Sequence, residues 1–310
     1  MIPPASEPPA KDIREFRCGS LTLQYSLSPH SRVLEEFYRG YDEAFVLPNE
    51  KEELAGFREC LALNFGEDRR RLVAQYGEFH EVVMVARERE SADPDAVIGG
   101  ANFICYPLRD GERPMIAMNL NYIYVASSAR RRGYFGKLLD SVRVAARALC
   151  DDRKGVQPVL IFLEQNDPLR MDRDAYALDT AHSGLDQRQR IGIWARQGAR
   201  IVDFAYVQPA LSPDQGSDDT LVYALIGAES TGLSACLLRD HLARFFGISV
   251  LKGRAIAEDA AASAQIAALS RQCEAGDTIA LLDPAPWLAG ESSGHGFSLR
   301  DTLKQNGLSK

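Results

Sequence analysis

What this chain lacks narrows its function more than its composition does. Its six cysteines (Cys18, Cys60, Cys105, Cys150, Cys236, Cys273) form no Cys-x-x-Cys clip, and its five histidines show no His-x-His or His-Glu-x-x-His spacing. A metal site is therefore not expected. In a 310-residue chain the cysteines read as reduced, mostly buried thiols of a cytoplasmic protein. No apolar run approaches the ~18 residues of a membrane span. The first residues lack the basic and apolar regions of a secretory signal. Basic excess is missing too. Lys and Arg total 36 against 43 Asp and Glu, a net charge of -7, which argues against a general nucleic-acid binder. There is no internal repeat, no Gly-x-x-x-x-Gly-Lys-Ser/Thr phosphate loop and no Gly-x-Gly-x-x-Gly fingerprint.

What is present is an alternation of strands and helices. Residues 1–15 hold four prolines and read as a loose tail. Residues 21–27 alternate with period two and predict a strand. Leu34, Phe37, Tyr38, Tyr41 and Phe45 fall at helical spacing, ended by Pro48. Residues 54–63 and 69–76 predict further helix. Strands are expected at 81–87, 96–104 and 115–125, then a helix from about Gly133 with one apolar face. The unbroken apolar run 159–163 predicts a central strand. Residues 167–183 read as polar and irregular, with a short helix as the alternative. A helix around Ile191 and Trp194 closes at Gly198, and strands follow at 201–206 and 220–226. Beyond Gly232 the pattern predicts helices, with 281–296 irregular. This order predicts an α/β (α+β) chain, a mixed sheet with helices on both faces, plus a C-terminal helical extension.

The chemistry concentrates where the 115–125 strand turns into the helix at Gly133. Arg130, Arg131, Arg132 and Lys137 surround Gly133 and Gly136 there. Free N–H groups at a helix start carry partial positive charge and bind anions. Three arginines beside them oppose that dipole at roughly 0.3–1 kcal/mol each. The arrangement becomes favourable when a phosphate or pyrophosphate sits in the turn, and the glycines let backbone approach it. A solvated run of arginines with turn-forming glycines is the alternative reading.

The stretch Arg130-Arg131-Arg132-Gly133-Tyr134-Phe135-Gly136 resembles the pyrophosphate loop of the GNAT N-acyltransferases, Gln/Arg-x-x-Gly-x-Gly/Ala. Phe135 stands where the second small residue is usual, and Gly136 follows one position later. Tyr124-Val125 is similar to the Tyr-Val that ends the family's fourth strand, residues 159–163 to its fifth strand, and residues 190–200 to its late helix. The resemblance covers roughly residues 20–228 and implies three segments: a tail at 1–15, a GNAT-like domain at 16–228 and the extension at 229–310, whose role it leaves open. It also implies a mostly antiparallel sheet with a splayed strand pair. Acetyl-CoA or another acyl-CoA would be held by Tyr124, Val125, Arg130, Arg131, Arg132, Gly133, Tyr134, Phe135, Gly136, Lys137 and Asn166. The Val125 N–H would face the thioester carbonyl and stabilise the tetrahedral oxyanion, an effect commonly worth about 2.7–4 kcal/mol per donor.

The proton-transfer groups depart from the family. Trp194 stands where a thiol-protonating tyrosine is usual, and an indole N–H is no proton source. Asn121 and Tyr122 stand where a fourth-strand carboxylate is common. Glu164 as base and Tyr206 as acid are the substitutes the sequence offers, each with a structural alternative: a solvated strand-end charge and sheet packing. A water chain is the third option for the base. Asn166-Asp167-Pro168 is equally readable as turn chemistry. The acceptor would be held by the early helix around residues 37–45 and by residues 168–188. The acidic groups of that second segment favour a cationic small amine, a polyamine or amino sugar. The expected reaction is acetyl transfer to a small amine by a monomer or homodimer. A CoA-binding regulatory module with a degenerate site and a peptide or protein N-acetyltransferase are the alternatives.

Overall fold

The computed structural model describes residues 13–47, 51–152, 154–211, 215–290 and 297–308. The predicted tail (residues 1–12 of it), Pro48 and the end of the 281–296 segment (residues 291–296) lie outside the described residues. The chain divides into two compact units: Met1–Leu108, Pro114–Val159 and Gly247–Arg254 form the first, while Arg109–Arg113, Leu160–Phe246 and Ala255–Lys310 form the second.

In unit 1, strands β1 (Ile13–Cys18) and β2 (Leu21–Ser26) lead into helices α1 (Arg32–Ala44), α2 (Leu54–Ala62) and α3 (Gly66–Tyr76). Strands β3 (His80–Glu88), β4 (Val97–Asp110) and β5 (Arg113–Val125) and helix α4 (Tyr134–Leu149) follow. The sheet order is β1-β2-β3-β4-β5, with β1–β2, β2–β3 and β3–β4 antiparallel. Strand β1 corrects the expectation of a loose tail to residue 15. Its ladder with β2 runs from Ile13 opposite Ser26 to Cys18 opposite Leu21, so backbone pairing fixes a segment whose side chains carry little apolar signal.

Helix α1 starts at Ser31, whose hydroxyl accepts the Leu34 N–H, a cap commonly worth ~1 kcal/mol. Its apolar stripe packs with Val83 and Val85 of β3 and with Phe57 and Leu61 of α2. Adjacent glycines of β4 show that helices cover both faces. A Cβ on Gly100 would lie 2.9 Å from the Phe37 ring of α1, and one on Gly99 would lie 3.3 Å from Leu138 of α4. Successive strand residues point to opposite faces, so α1 and α4 sandwich the sheet. Burial on both sides explains why Val82 to Ala86 are all fully buried.

In unit 2, β6 (Val159–Asn166) leads to α5 (Arg173–Ser183), α6 (Gln187–Arg196), β7 (Arg200–Val202) and β8 (Leu221–Ile226). Then come β9 (Gly232–Ser234), α7 (Ala235–Arg244), α8 (Ala260–Glu274), β10 (Thr278–Leu282), α9 (Ala285–Ala289) and α10 (Leu299–Leu308). The order is β6-β8-β7-β10-β9, with β6–β8, β8–β7, β7–β10 and β10–β9 antiparallel. The segment beyond residue 229 thus supplies two strands as well as helices.

The 167–183 segment takes its short-helix alternative as α5, capped by Asp172, whose carboxylate accepts the Asp174 and Ala175 N–H groups. Two expectations are corrected here. The predicted 201–206 strand stops at Val202, because the chain folds into tight turns from Phe204 N–H to Val202 O and from Tyr206 N–H to Phe204 O. The expectation that all six thiols are reduced fails at Cys236 and Cys273, which form a disulfide. They are 37 residues apart, but Thr278 of β10 pairs with Ser234 of β9 and brings the start of α7 beside the end of α8. No helix among the described residues is long and apolar enough to cross a membrane.

Candidate active site

In unit 1 the candidate loop is built from the end of β5. Tyr124 is buried, and its hydroxyl donates to the Phe37 carbonyl at 3.3 Å. The Gly40 backbone of α1 lies directly on its ring. The neighbouring Tyr122 packs edge-on against Tyr41, centroids 4.7 Å apart. These aromatics hold the strand end still. Phe37 and Tyr41, expected to contact an acceptor, are fully buried in this cluster.

Ala126 N–H donates to Ile98 O of β4 at 2.9 Å. Hydrogen-bonding direction alternates along a strand, so the N–H and C=O of Val125 lie on the edge of β5 facing away from β4. The carbonyl on that edge accepts Arg130 Nε at 3.3 Å, which folds the turn back on the strand end.

The turn itself takes two left-handed residues. Arg131 has φ 63° and Gly133 φ 76°. Gly133 is the N-cap of α4 and brings no side-chain cap to the first-turn N–H groups. A non-glycine residue at positive φ is uncommon and costs on the order of 1 kcal/mol.

The basic side chains divide. Arg132 pairs with Glu88 at 3.1 Å and lies 5.0 Å over the Tyr134 ring. Lys137 Nζ donates to Ser20 Oγ at 2.9 Å and lies 5.2 Å from the same ring. Tyr134 hydrogen-bonds Glu88, which with Arg132 holds that carboxyl below its ordinary range. Phe135 and Gly136 are half-buried in the first turn of α4, and Arg131 is exposed.

In place of a β5 carboxylate, unit 1 has an amide ladder. Asn119 Nδ2 donates to Asn121 Oδ1 at 2.9 Å, Asn121 Nδ2 to Asn102 Oδ1 at 3.1 Å, and Asn102 Nδ2 to Val82 O at 3.0 Å.

In unit 2, Glu164 and Tyr206 come together. The buried Tyr206 hydroxyl donates to Glu164 Oε1 at 2.5 Å and also contacts Gln208 Oε1. Burial, then the Glu164 charge, pushes the phenol well above its usual range, so it stays protonated. Tyr206 stacks on Tyr223 with centroids 4.5 Å apart, and Tyr223 is cross-strand neighbour to Glu164. Tyr223 Oη lies 2.6 Å from Nε2 of His241, an imidazole kept neutral by burial.

Three further residues of this group escaped the sequence reading: Gln208, His241 and Gln265. Gln265 of α8 accepts the Val207 N–H at 3.0 Å and donates to the Val207 carbonyl at 2.7 Å. One amide thus replaces the missing strand neighbour at Tyr206. The only sequence signal was a polar residue at a buried position of an alanine-rich helix.

Asn166 ends β6 half-buried, and Trp194 is half-buried in α6. The acidic residues of 168–188 are largely used locally. Asp172 and Asp186 cap helices, and Asp179 is buried against Arg190 at 2.7 Å and Gln187 at 2.6 Å.

No family model matches the sequence, and no curated protein matches it. Among solved structures, the chain is similar to NAA60 of Arabidopsis thaliana in complex with acetyl-CoA, at 13% identity and TM-score 0.36 over 66% of this chain and 99% of that one. It is also similar to a GNAT-family protein from Desulfovibrio desulfuricans, at 18% identity and TM-score 0.33 over 67% and 98%. A third is an aminoglycoside acetyltransferase from an uncultured soil metagenomic sample in complex with sisomicin, at 19% identity and TM-score 0.28 over 53% and 87%.

Proposed function

We propose that this chain is an acyl-CoA-dependent N-acyltransferase of the GNAT type that transfers acetyl from acetyl-CoA to a primary amine of a small molecule. The observation that carries the reading is the turn from β5 into α4. Two left-handed residues, Arg131 and the N-cap Gly133, precede one helix start in a run of three arginines of which Arg131 is exposed, an arrangement that suits a pyrophosphate. Tyr124, Val125, Arg130, Arg131, Arg132, Gly133, Tyr134, Phe135, Gly136 and Lys137 are assigned to CoA, with Asn166 as a further contact.

In the proposed reaction the amine nitrogen attacks the thioester carbon. The Val125 N–H, on the edge of β5 away from β4, stabilises the oxyanion. Glu164 accepts the amine proton. As the tetrahedral intermediate expels the thiolate, Tyr206 gives its proton to sulfur and Glu164 returns one to the phenol. The 2.5 Å hydrogen bond between them supports this relay.

The test is thiol release from acetyl-CoA across a panel of polyamines, amino sugars and N-terminal peptides. Release with a small amine supports the reading, and release with peptides alone moves the acceptor class to polypeptide. The amide ladder at Asn102, Asn119 and Asn121 favours a second reading, a CoA-binding module without efficient chemistry. CoA binding with no thiol release for any acceptor would select it.

A further inference from the structure

Three contacts in unit 1 converge on a place distant in sequence from the loop. The β3–β4 register sets His80 opposite Cys105. Directly opposed residues share a face, with Cβ atoms about 4.5–5.5 Å apart. The His80 imidazole also hydrogen-bonds the Leu149 carbonyl at the end of α4, and Cys150 is the C-cap of that helix. The third contact closes the triangle, since the Cys105 thiol hydrogen-bonds Cys150 sulfur. Two reduced sulfurs from β4 and α4 are therefore in contact. Their environments differ: Cys105 is fully buried and Cys150 half-buried. By contrast, Cys60 donates its thiol hydrogen to the Ser249 carbonyl.

We propose that Cys105 and Cys150 are a redox-modification site that closes to a reversible disulfide under peroxide. The half-buried Cys150, as its thiolate, attacks a peroxide oxygen. The O–O bond breaks, Cys150 becomes a sulfenic acid and the hydroxide released is protonated to water. The Cys105 sulfur then attacks the sulfenic sulfur, the S–OH bond breaks, and a second water leaves with the Cys105 proton. Two thiols are oxidised and one hydrogen peroxide is reduced to two waters. The cross-link would join β4 to the last turn of α4 and enclose β5, the turn and the helix in one covalent ring.

The experiment treats the native full chain with hydrogen peroxide, alkylates it under denaturing conditions, and maps peptides without reduction. The expected result is a Cys105–Cys150 cross-linked peptide, about 2 Da lighter than its two thiol peptides, which disappears on adding dithiothreitol. The oxidised protein should melt roughly 4 °C or more above the reduced one. In Cys105→Ala, Cys150 should accumulate as a sulfenic acid captured by dimedone, and the Tm gain should vanish. Cys150→Ser, altered at a half-buried position, checks the loss of the cross-link in a folded chain. Full alkylation of both cysteines after peroxide, or a Cys150 cross-link to Cys18 or Cys60 instead, would overturn the proposal.

Discussion

Tyr206 directs its phenol at Glu164 Oε1, 2.5 Å away, from a segment held by the amide of Gln265 rather than by a strand ladder. With the phenol kept protonated by burial, the pair is arranged for the carboxylate to receive a proton and the phenol to pass one. Glu164→Gln should lower kcat by roughly 10²–10⁴-fold. Tyr206→Phe, which leaves the carboxylate but removes a hydrogen bond to a charged group, should cost about 10–100-fold. Both should leave the CoA dissociation constant within about twofold, measured by calorimetry. Equal kcat in wild type and Glu164→Gln would remove Glu164 from the reaction.

Gly133 allows a test of the loop that is separable from folding. A Cβ built there meets nothing within 4 Å, so the only obstacle to a side chain is its φ of 76°. Gly133→Val should cost about 1–2 kcal/mol of stability through that conformation and leave the far-UV circular dichroism unchanged. CoA binding should weaken at least ~10-fold, because the left-handed N-cap aims the amides. An unchanged CoA affinity in the folded variant would refute the pyrophosphate assignment.

Most of the fold, including the turn that starts α4 at Gly133, was readable because it follows short-range rules. Period-two burial marks β2, the 3.6-residue stripe marks α1 and α4, and an unbroken apolar run marks β6. What was not readable depends on long-range pairing. Strand β1 is half charged, lies too close to the proline-rich start to show a pattern, and takes its extended conformation from pairing with β2. Cys236 and Cys273 meet only once β9 and β10 pair. Asp172 and Asp186 looked like free acidity until helices formed behind them. Tyr206 was read as a strand residue because alternation cannot register that an amide 58 positions later holds its neighbour.

Glu81 predicts how stability depends on pH. It is fully buried, accepts hydrogen bonds from Ser249 Oγ at one oxygen, and among the described residues has no partner at Oε2. Burial raises its pKa from 4.5 to about 7. Between those values the folded state holds a proton that the unfolded state has released, so stability falls as pH rises. The contribution is fully present below about pH 4.5 and lost by pH 7, an effect on the order of 3 kcal/mol. Urea unfolding from pH 5 to pH 8 should show this decline, and Glu81→Gln should flatten it and raise stability at pH 8. An identical slope in wild type and variant would contradict it.

Gln265 connects the C-terminal segment to the chemistry proposed for unit 2. Its amide satisfies both polar groups of Val207, the residue after Tyr206, and it is itself buried. Gln265→Leu keeps the volume but removes both partners of the half-buried Val207 N–H and C=O, costing about 1 kcal/mol for each lost hydrogen bond. The expected outcome is a lower Tm together with a fall in kcat, because the phenol loses its fixed distance to Glu164. Gln265→Glu separates the two effects. Its carboxylate still accepts the Val207 N–H but repels the Val207 carbonyl, so its kcat should lie between those of wild type and Gln265→Leu. If Gln265→Leu lowers Tm with full kcat retained, α8 supports the fold alone and Tyr206 is held by Gln208 and the Tyr223 ring.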